Sequence, residues 1–238
     1  TLMRSSAASD VYKRQLQEQL QKTEQKLDAA AHNLSKIRRN YAKRLETQII
    51  EGLRDLNFLH VAFEISFEKT KSYTENGTDA VEFLISTNPG EAIRPLAKVV
   101  SGGELSRIML AIKTILADRD ETETLIFDEI DTGISGRMAQ VVAEKMSQIG
   151  DHHQVICVTH LPQIAAMADT QYLVCKYDEN GATRTEVTRL SESQRAQEIA
   201  RMVGGAGCES ESSVRHAAVM LEEARARKQA LRAAIEGK

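Results

Sequence analysis

The apolar run Thr124-Leu125-Ile126-Phe127 ends directly in Asp128-Glu129. A run this short and this apolar predicts a buried strand of a parallel sheet, and so an α/β fold. Carboxylates at the carboxyl end of such a strand stand where open α/β sheets bind ligands. Asp128 is therefore a candidate for holding a magnesium ion through water. Glu129 is a candidate for orienting and deprotonating an attacking water. A lone Asp after a strand is often only an acidic turn. The Asp-Glu pair after this run is a narrower pattern.

Upstream lies Val99-Val100-Ser101-Gly102-Gly103-Glu104-Leu105-Ser106-Arg107. Ser101 and Glu104 form the S-x-x-E sign of a capped helix start. Gly102 and Gly103 leave backbone amides bare at that start, and a helix N-terminus with bare amides is an anion site. Leu105, Ile108, Met109, Ile112, Ile115 and Leu116 recur at helical spacing behind it. A capping box serves an ordinary core helix equally well. Downstream, the strand Gln154 to Val158 ends in Thr159-His160, which puts His160 at the same end of its strand as Asp128.

The rest of the chain divides in order. Residues 1–15 show no apolar period, and Asp10 to Gln15 is similar to a translated adapter scar, so 1–15 is set apart as a non-native or disordered leader. From Leu16, the positions Leu20, Thr23, Leu27, Ala30, Leu34, Ile37 and Tyr41 alternate steps of four and three, a heptad seam. Leu45, Ile49 and Leu53 then follow in steps of four, which relaxes a supercoil. Residues 16–56 are read as a coiled-coil arm segment, or else as an amphipathic helix lying on the domain. Residues 57–238 are read as one α/β lobe.

Leu56 to Phe67 alternates, with Leu59, Val61, Phe63, Ile65 and Phe67 expected inward. Asn76-Gly77 signals a hairpin turn into a strand from Ala80 to Thr87. Ser135 is expected to cap a helix from Gly136 to Ile149. Asp151-His152-His153 has metal-binding residue types but no third ligand at a suitable spacing, and reads as a loop. A short helix then runs through Ala168, strands over 171–177 and 183–190 meet at Asp178-Glu179-Asn180-Gly181, and helices follow over 191–202 and 212–235. Gly204-Gly205-Ala206-Gly207 reads as a loop, since no strand precedes it.

The net charge of -3 gives no bulk attraction to nucleic acid or to an anionic membrane. The three cysteines, Cys157, Cys175 and Cys208, have no metal-ligand spacing and are odd in number, which argues against a disulfide framework. Cys157, inside an apolar strand, reads as a small core residue. No apolar run reaches the roughly 20 residues that span a bilayer, so a soluble cytoplasmic protein without membrane contact is expected.

In this order, S-G-G-E, apolar-D-E-x-D and T-H resemble the signature motif, Walker B strand, D-loop and switch histidine of the ABC-type ATPases. Glu104 in place of Gln is similar to the SMC branch rather than to the transporters, which leaves a transporter subunit the weaker alternative. Pro95 to Val100, Phe127-Asp128-Glu129-Ile130-Asp131-Thr132-Gly133-Ile134-Ser135-Gly136 and Val158-Thr159-His160-Leu161-Pro162-Gln163-Ile164-Ala165 resemble the RecN family of bacterial DNA repair proteins.

The resemblance implies the C-terminal lobe of an ABC/SMC-type ATPase head, a P-loop NTPase-like parallel sheet core preceded by a coiled-coil helix. It implies ATP and Mg2+, a head-to-head homodimer and DNA double-strand break ends as partners. It also implies roles for individual residues. Asp128 would hold Mg2+ through water, and Glu129 and His160 would act catalytically on the ATP of their own head. Ser101, Gly102, Gly103 and Glu104 would reach the nucleotide of the opposite head, and Asp131 would cross the interface. No G-x-x-x-x-G-K-[ST] occurs in the sequence. The resemblance places that P-loop in a missing N-terminal head half, so this chain alone is expected to hydrolyse nothing and to act as a dimerisation or assembly fragment.

Overall fold

A computed structural model describes residues 2–99, 101–179, 182–205 and 210–236. Helix α1 spans Leu2–Asp55, 54 residues and about 80 Å at 1.5 Å rise per residue. It runs unbroken past the boundary at 15/16. A helix already nucleated propagates through helix-forming residues without needing an apolar period.

The seam of α1 up to Tyr41 does not face the domain: Leu16, Leu20, Leu27, Leu34, Ile37 and Tyr41 are exposed, and Ala31 and Ala42, each one position further on, are buried instead. Beyond Tyr41 the positions spaced by four turn inward, with Ile49 and Leu53 fully buried. The last turn closes with Asn57 N–H donating to Arg54 O and Phe58 N–H donating to Leu53 O, each at 3.0 Å. Asn57 sits at φ 68°. This is a left-handed helix stop with its usual apolar contact between the flanking residues. It turns Phe58 into the core and leaves Leu59, expected inward, 66% exposed.

Strands β1 (Ala62–Thr74) and β2 (Gly77–Ser86) form an antiparallel hairpin, with the two-residue β3 (Arg94–Pro95) against β2. Val61, Phe63, Ile65 and Ile85 are buried, and the Phe63 and Phe83 rings meet edge-on at 5.6 Å. The hairpin lies along α1. Glu46 accepts from Ile65 N–H at 2.7 Å, and Asp79 accepts from Ser35 at 2.8 Å and Arg38 at 3.2 Å. Arg38 also donates to Asn76 O at 2.7 Å, and Tyr73 donates to Asp28.

Helix α2 (Gly102–Leu116) packs on the end of α1 and on α3 (Arg137–Ile149). Between α2 and α3 runs β4 (Thr124–Phe127), and β5 (Gln154–Cys157) pairs with it in parallel, Phe127 opposite Cys157. The expectation of a fully buried strand is corrected: Leu125 and Phe127 are buried, but Ile126 is 70% exposed and Ile156 and Val158 are exposed beside it. One face of this two-stranded sheet lies on the helices and the other is open. Gly136, at φ 52°, and not Ser135, precedes the first residue of α3, and no side chain caps it.

The short α4 (Pro162–Met167) leads to the hairpin β6 (Tyr172–Glu179) and β7 (Ala182–Arg189). The Ser191/Gln194 capping box starts α5 (Glu192–Gly204), and α6 (Glu211–Glu236) crosses α3, α4 and α5. The core joins Leu53 and Leu56 to Ile108, Leu110, Ile130, Val142, Ile149, Ile199 and Leu221. Val100, Asn180-Gly181, Ala206-Gly207 and Cys208, all read from the sequence, lie outside the described residues.

Candidate functional site

The site forms where the loop after β4 meets the start of α2 on one side and the end of β5 on the other. Ser101 is the residue before α2, extended at φ -81° and ψ 119°. Its hydroxyl accepts from Glu104 N–H at 3.4 Å, and its carbonyl accepts from Leu105 N–H at 2.9 Å. The amides of Gly102 and Gly103 thus lie ahead of the first intrahelical bond.

The two glycines have a reason beyond anion binding, because the acidic loop is packed on them. A Cβ on Gly102 would run into Glu129 Oε2. One on Gly103 would sit 2.9 Å from both Glu129 O and Thr132 Cβ. Glu129 itself takes the left-handed backbone, φ 56°, a conformation that costs of order 1–3 kcal/mol for a residue with a side chain. The turn is held by Glu129 N–H donating to Asp128 Oδ1 at 2.9 Å and Thr132 N–H to Glu129 O at 3.0 Å. The resemblance assigned Glu129 and the glycines to different composite sites. In this chain they touch.

Two residues of α2 fasten the loop, and the sequence reading gave neither a role. Ser106 donates to Asp128 O at 2.7 Å. Arg107 is 9% exposed. Its guanidinium donates to Thr132 O at 2.7 Å and Ile130 O at 3.4 Å and lies over the Phe58 ring at 5.6 Å. Burial pushes its pKa down, opposed by nearby Glu104. A cation on the apolar face of α2, flanked by buried Ile108, Leu110 and Ala111, was the available signal.

Asp131 is turned inward, with its side chain 5% exposed. Asp131 Oδ2 accepts from Thr159 Oγ1 at 2.6 Å and His160 N–H at 2.8 Å, and lies 3.0 Å from His160 Nδ1. All three contacts fall on Oδ2 and come from within this chain. His160 is the outward member, its side chain 75% exposed. Asp128 and Glu129 are exposed. The structure therefore gathers Ser101, Gly102, Gly103, Glu129 and Asp131 around one loop, with Asp128 and His160 at the ends of paired strands.

Among the described residues, no cluster of three or more His, Cys, Asp and Glu side chains is arranged to hold a metal. The exposed Asp128 offers carboxylate oxygen, the donor type that a hard cation such as magnesium takes. His153 is structural: its ring nitrogens lie 2.7 Å from Thr122 O and 3.1 Å from Ala117 O. Cys157 is half-buried and packed against the core, and burial, followed by Asp131 and Asp128, pushes its thiol up to about 12.

No family model matches the chain. Three curated relatives, each named DNA repair protein RecN, are similar to it. The protein of Halalkalibacterium halodurans is 46% identical over 196 residues, 81% of this chain and 35% of that one. That of Bacillus subtilis is 40% identical over 230 residues, 90% and 40%. That of Vibrio cholerae is 45% identical over 178 residues, 74% and 32%. The chain thus spans well under half the length of these relatives. Among solved structures, the SMC head domain with coiled coil and joint of Pyrococcus yayanosii overlays with a TM-score of 0.46 at 19% identity, covering 79% of this chain and 30% of that one. The Pyrococcus furiosus SMC head, solved with the C-terminal domain of ScpA, gives 0.45 at 18%, covering 70% and 39%.

Proposed function

Because this chain belongs to the RecN family of DNA repair proteins, we propose that it is one half of an ATPase head, contributing to ATP hydrolysis in repair of DNA double-strand breaks. The observation that carries the reading is the convergence of the Asp128-Glu129 strand end, the start of α2 and His160 at one edge of the β4–β5 pair. In this reading Asp128 holds Mg2+ through water, and Glu129 is the general base. His160 faces the terminal phosphate. Ser101 with the amides of Gly102 and Gly103 receives a phosphate of ATP carried by the opposite head of a homodimer. Magnesium, when bound with ATP, supplies neutralisation of phosphate charge. Glu129 needs a positioned water, which only a closed pair of heads supplies.

A specific observation favours an accompanying reading, in which the 238 residues alone are an assembly fragment. Ile126, Ile156 and Val158 leave an apolar sheet face open beside the site, and no P-loop occurs in the sequence. The complement is the N-terminal head half. DNA ends are the partner of the assembled protein, in the cytoplasm at the bacterial nucleoid. No helix among the described residues is long and apolar enough to cross a membrane.

The test is phosphate release from magnesium-ATP by this chain, alone and mixed with a P-loop-bearing N-terminal half of a relative. No turnover alone, with turnover in the mixture abolished by Glu129→Gln, is the expected result. Turnover by the chain alone would overturn the half-site reading. Silence in a mixture shown to form the complex would overturn the ATPase reading.

A further inference from the structure

We propose that Ser106 is a positioning residue for Glu129, holding the peptide that fixes the direction of its carboxylate. The inference rests on the reading of Glu129 as the general base. It names the residue through which α2 sets that base.

A serine inside a helix ordinarily faces solvent or turns its hydroxyl back to the carbonyl four residues earlier. Ser106, in the second turn of α2, does otherwise: it donates at 2.7 Å to Asp128 O, 22 positions away. That oxygen belongs to the peptide joining Asp128 to Glu129. The other polar end of the same peptide, Glu129 N–H, donates to Asp128 Oδ1 at 2.9 Å. Both ends of one peptide plane are therefore held, and the plane cannot turn over without breaking two hydrogen bonds.

A peptide unit is planar, so its orientation sets φ of the residue that follows. Glu129 stands at φ 56°, a region that an unrestrained residue with a side chain leaves because its Cβ crowds the backbone. The plane on the far side of Glu129 is tied as well, by Thr132 N–H donating to Glu129 O at 3.0 Å. With both flanking planes fixed, the direction of the Glu129 Cα–Cβ bond is fixed too. It carries the carboxylate over Gly102, where a Cβ would run into Oε2. The carboxylate itself makes no hydrogen bond or ion pair among the described residues, so its direction comes from the backbone. Arg107 bonds the carbonyls of Ile130 and Thr132 further along the loop. Consecutive residues of α2 thus hold carbonyls on both sides of Glu129, and Ser106 holds the peptide that adjoins it.

The test is the 15N-edited NOE spectrum of the 238-residue chain without nucleotide, labelled with 15N-glutamate, with Glu129 assigned by its loss in Glu129→Gln. A strong intraresidue HN–Hα NOE marks positive φ, because that angle brings the two hydrogens together. We expect the strong NOE in the wild type, its weakening in Ser106→Ala and its retention in Ser106→Thr, which keeps the hydroxyl. In the mixture with a P-loop-bearing N-terminal half, Ser106→Ala should lower kcat about 10-fold or more while KM for ATP stays within about twofold, and Ser106→Thr should restore most of kcat. A serine that only stabilised the fold would move Tm and neither of these readouts. A wild-type Glu129 without the strong NOE, or a Ser106→Ala chain that keeps it, would overturn the proposal. If Ser106→Ala does not fold, Ser106→Val against Ser106→Thr makes the same comparison at nearly equal volume. A mixture in which the wild type is also silent counts against the ATPase reading, and the NOE, read without nucleotide, still decides the role of Ser106.

Discussion

Gly103 and Thr132 approach so closely that a Cβ on the glycine would lie 2.9 Å from Thr132 Cβ and 3.3 Å from Thr132 O. Backbone and a branched side chain cannot swing away as a flexible chain end would. We expect Gly103→Ala to push the acidic loop off α2 at a cost of about 1–3 kcal/mol, the usual range for overpacking. Thermal unfolding of the purified chain reads it out. An unchanged Tm would mean that the loop moves freely and is not held against the helix start.

Arg107 fastens the same loop from the interior of α2. Arg107→Met keeps much of the volume but leaves the buried Ile130 carbonyl without its donor, a loss of about 1–3 kcal/mol, and breaks the part-buried bond to Thr132 O at a smaller cost. Arg107→Lys should recover only part of it, since an ammonium lacks the planar fork that reaches two carbonyls. Urea denaturation of both variants compares them, and a lysine variant as stable as wild type would refute the two-carbonyl account.

Ser101 separates a cap from an interface residue. As a cap alone, Ser101→Ala costs about 1 kcal/mol and nothing else. In the full-length protein, we expect Ser101→Arg to leave nucleotide binding by single heads intact and to abolish ATP-driven pairing. Equilibrium nucleotide binding and ATP-dependent sedimentation are measured on the same folded variant. Intact pairing would remove the role assigned to the start of α2.

Thiol chemistry distinguishes two cysteines. With its pKa pushed up to about 12 by burial, Cys157 holds almost no thiolate at pH 8, whereas Cys175 is exposed. Iodoacetamide at pH 8 should label Cys175 well before Cys157, as read by peptide mass. Equal rates would show that the end of β5 opens readily.

Acid should loosen the connector after α2. The Lys113 hydrogen bond, followed by those from Thr122, lowers the Asp120 carboxyl from 3.8 to about 2. A pKa lower in the folded chain than in the unfolded one stabilises the fold above about pH 4, and that contribution is lost as pH falls toward 2. Carboxyl 13C titration should place Asp120 near the low value, and Asp120→Asn should flatten the acid limb of the stability curve. An Asp120 midpoint near 3.8 would contradict the Lys113 contact.

Local chemistry made much of this legible. The Ser101 cap, the ends of β4 and β5, the Asn76-Gly77 hairpin and the Ser191 helix start are read from adjacent residues, because caps, strand ends and turns are set within a few positions. The inward alternation of Val61, Phe63 and Ile65 follows from a two-residue period in the same way.

The misreadings have one physical origin. Leu59 points outward because residues 59–60 form a turn between the Asn57 stop and β1, so the two-residue period holds only from Val61 onward. The middle of α1 packs one position beside the seam because the β1–β2 hairpin lies along it, whereas its last turns pack against α2. Asp131 faces Thr159, 28 positions away, and Arg107 faces Thr132, 25 positions away. The sequence by itself determined which elements form and which of their ends carry the acids, the glycines and the histidine. Only the tertiary structure decided that Glu129 rests on Gly102, that Arg107 is buried and that Asp131 turns inward to His160. A polar side chain takes its partner from whichever loop packing brings within about 3 Å, and no local period records that distance.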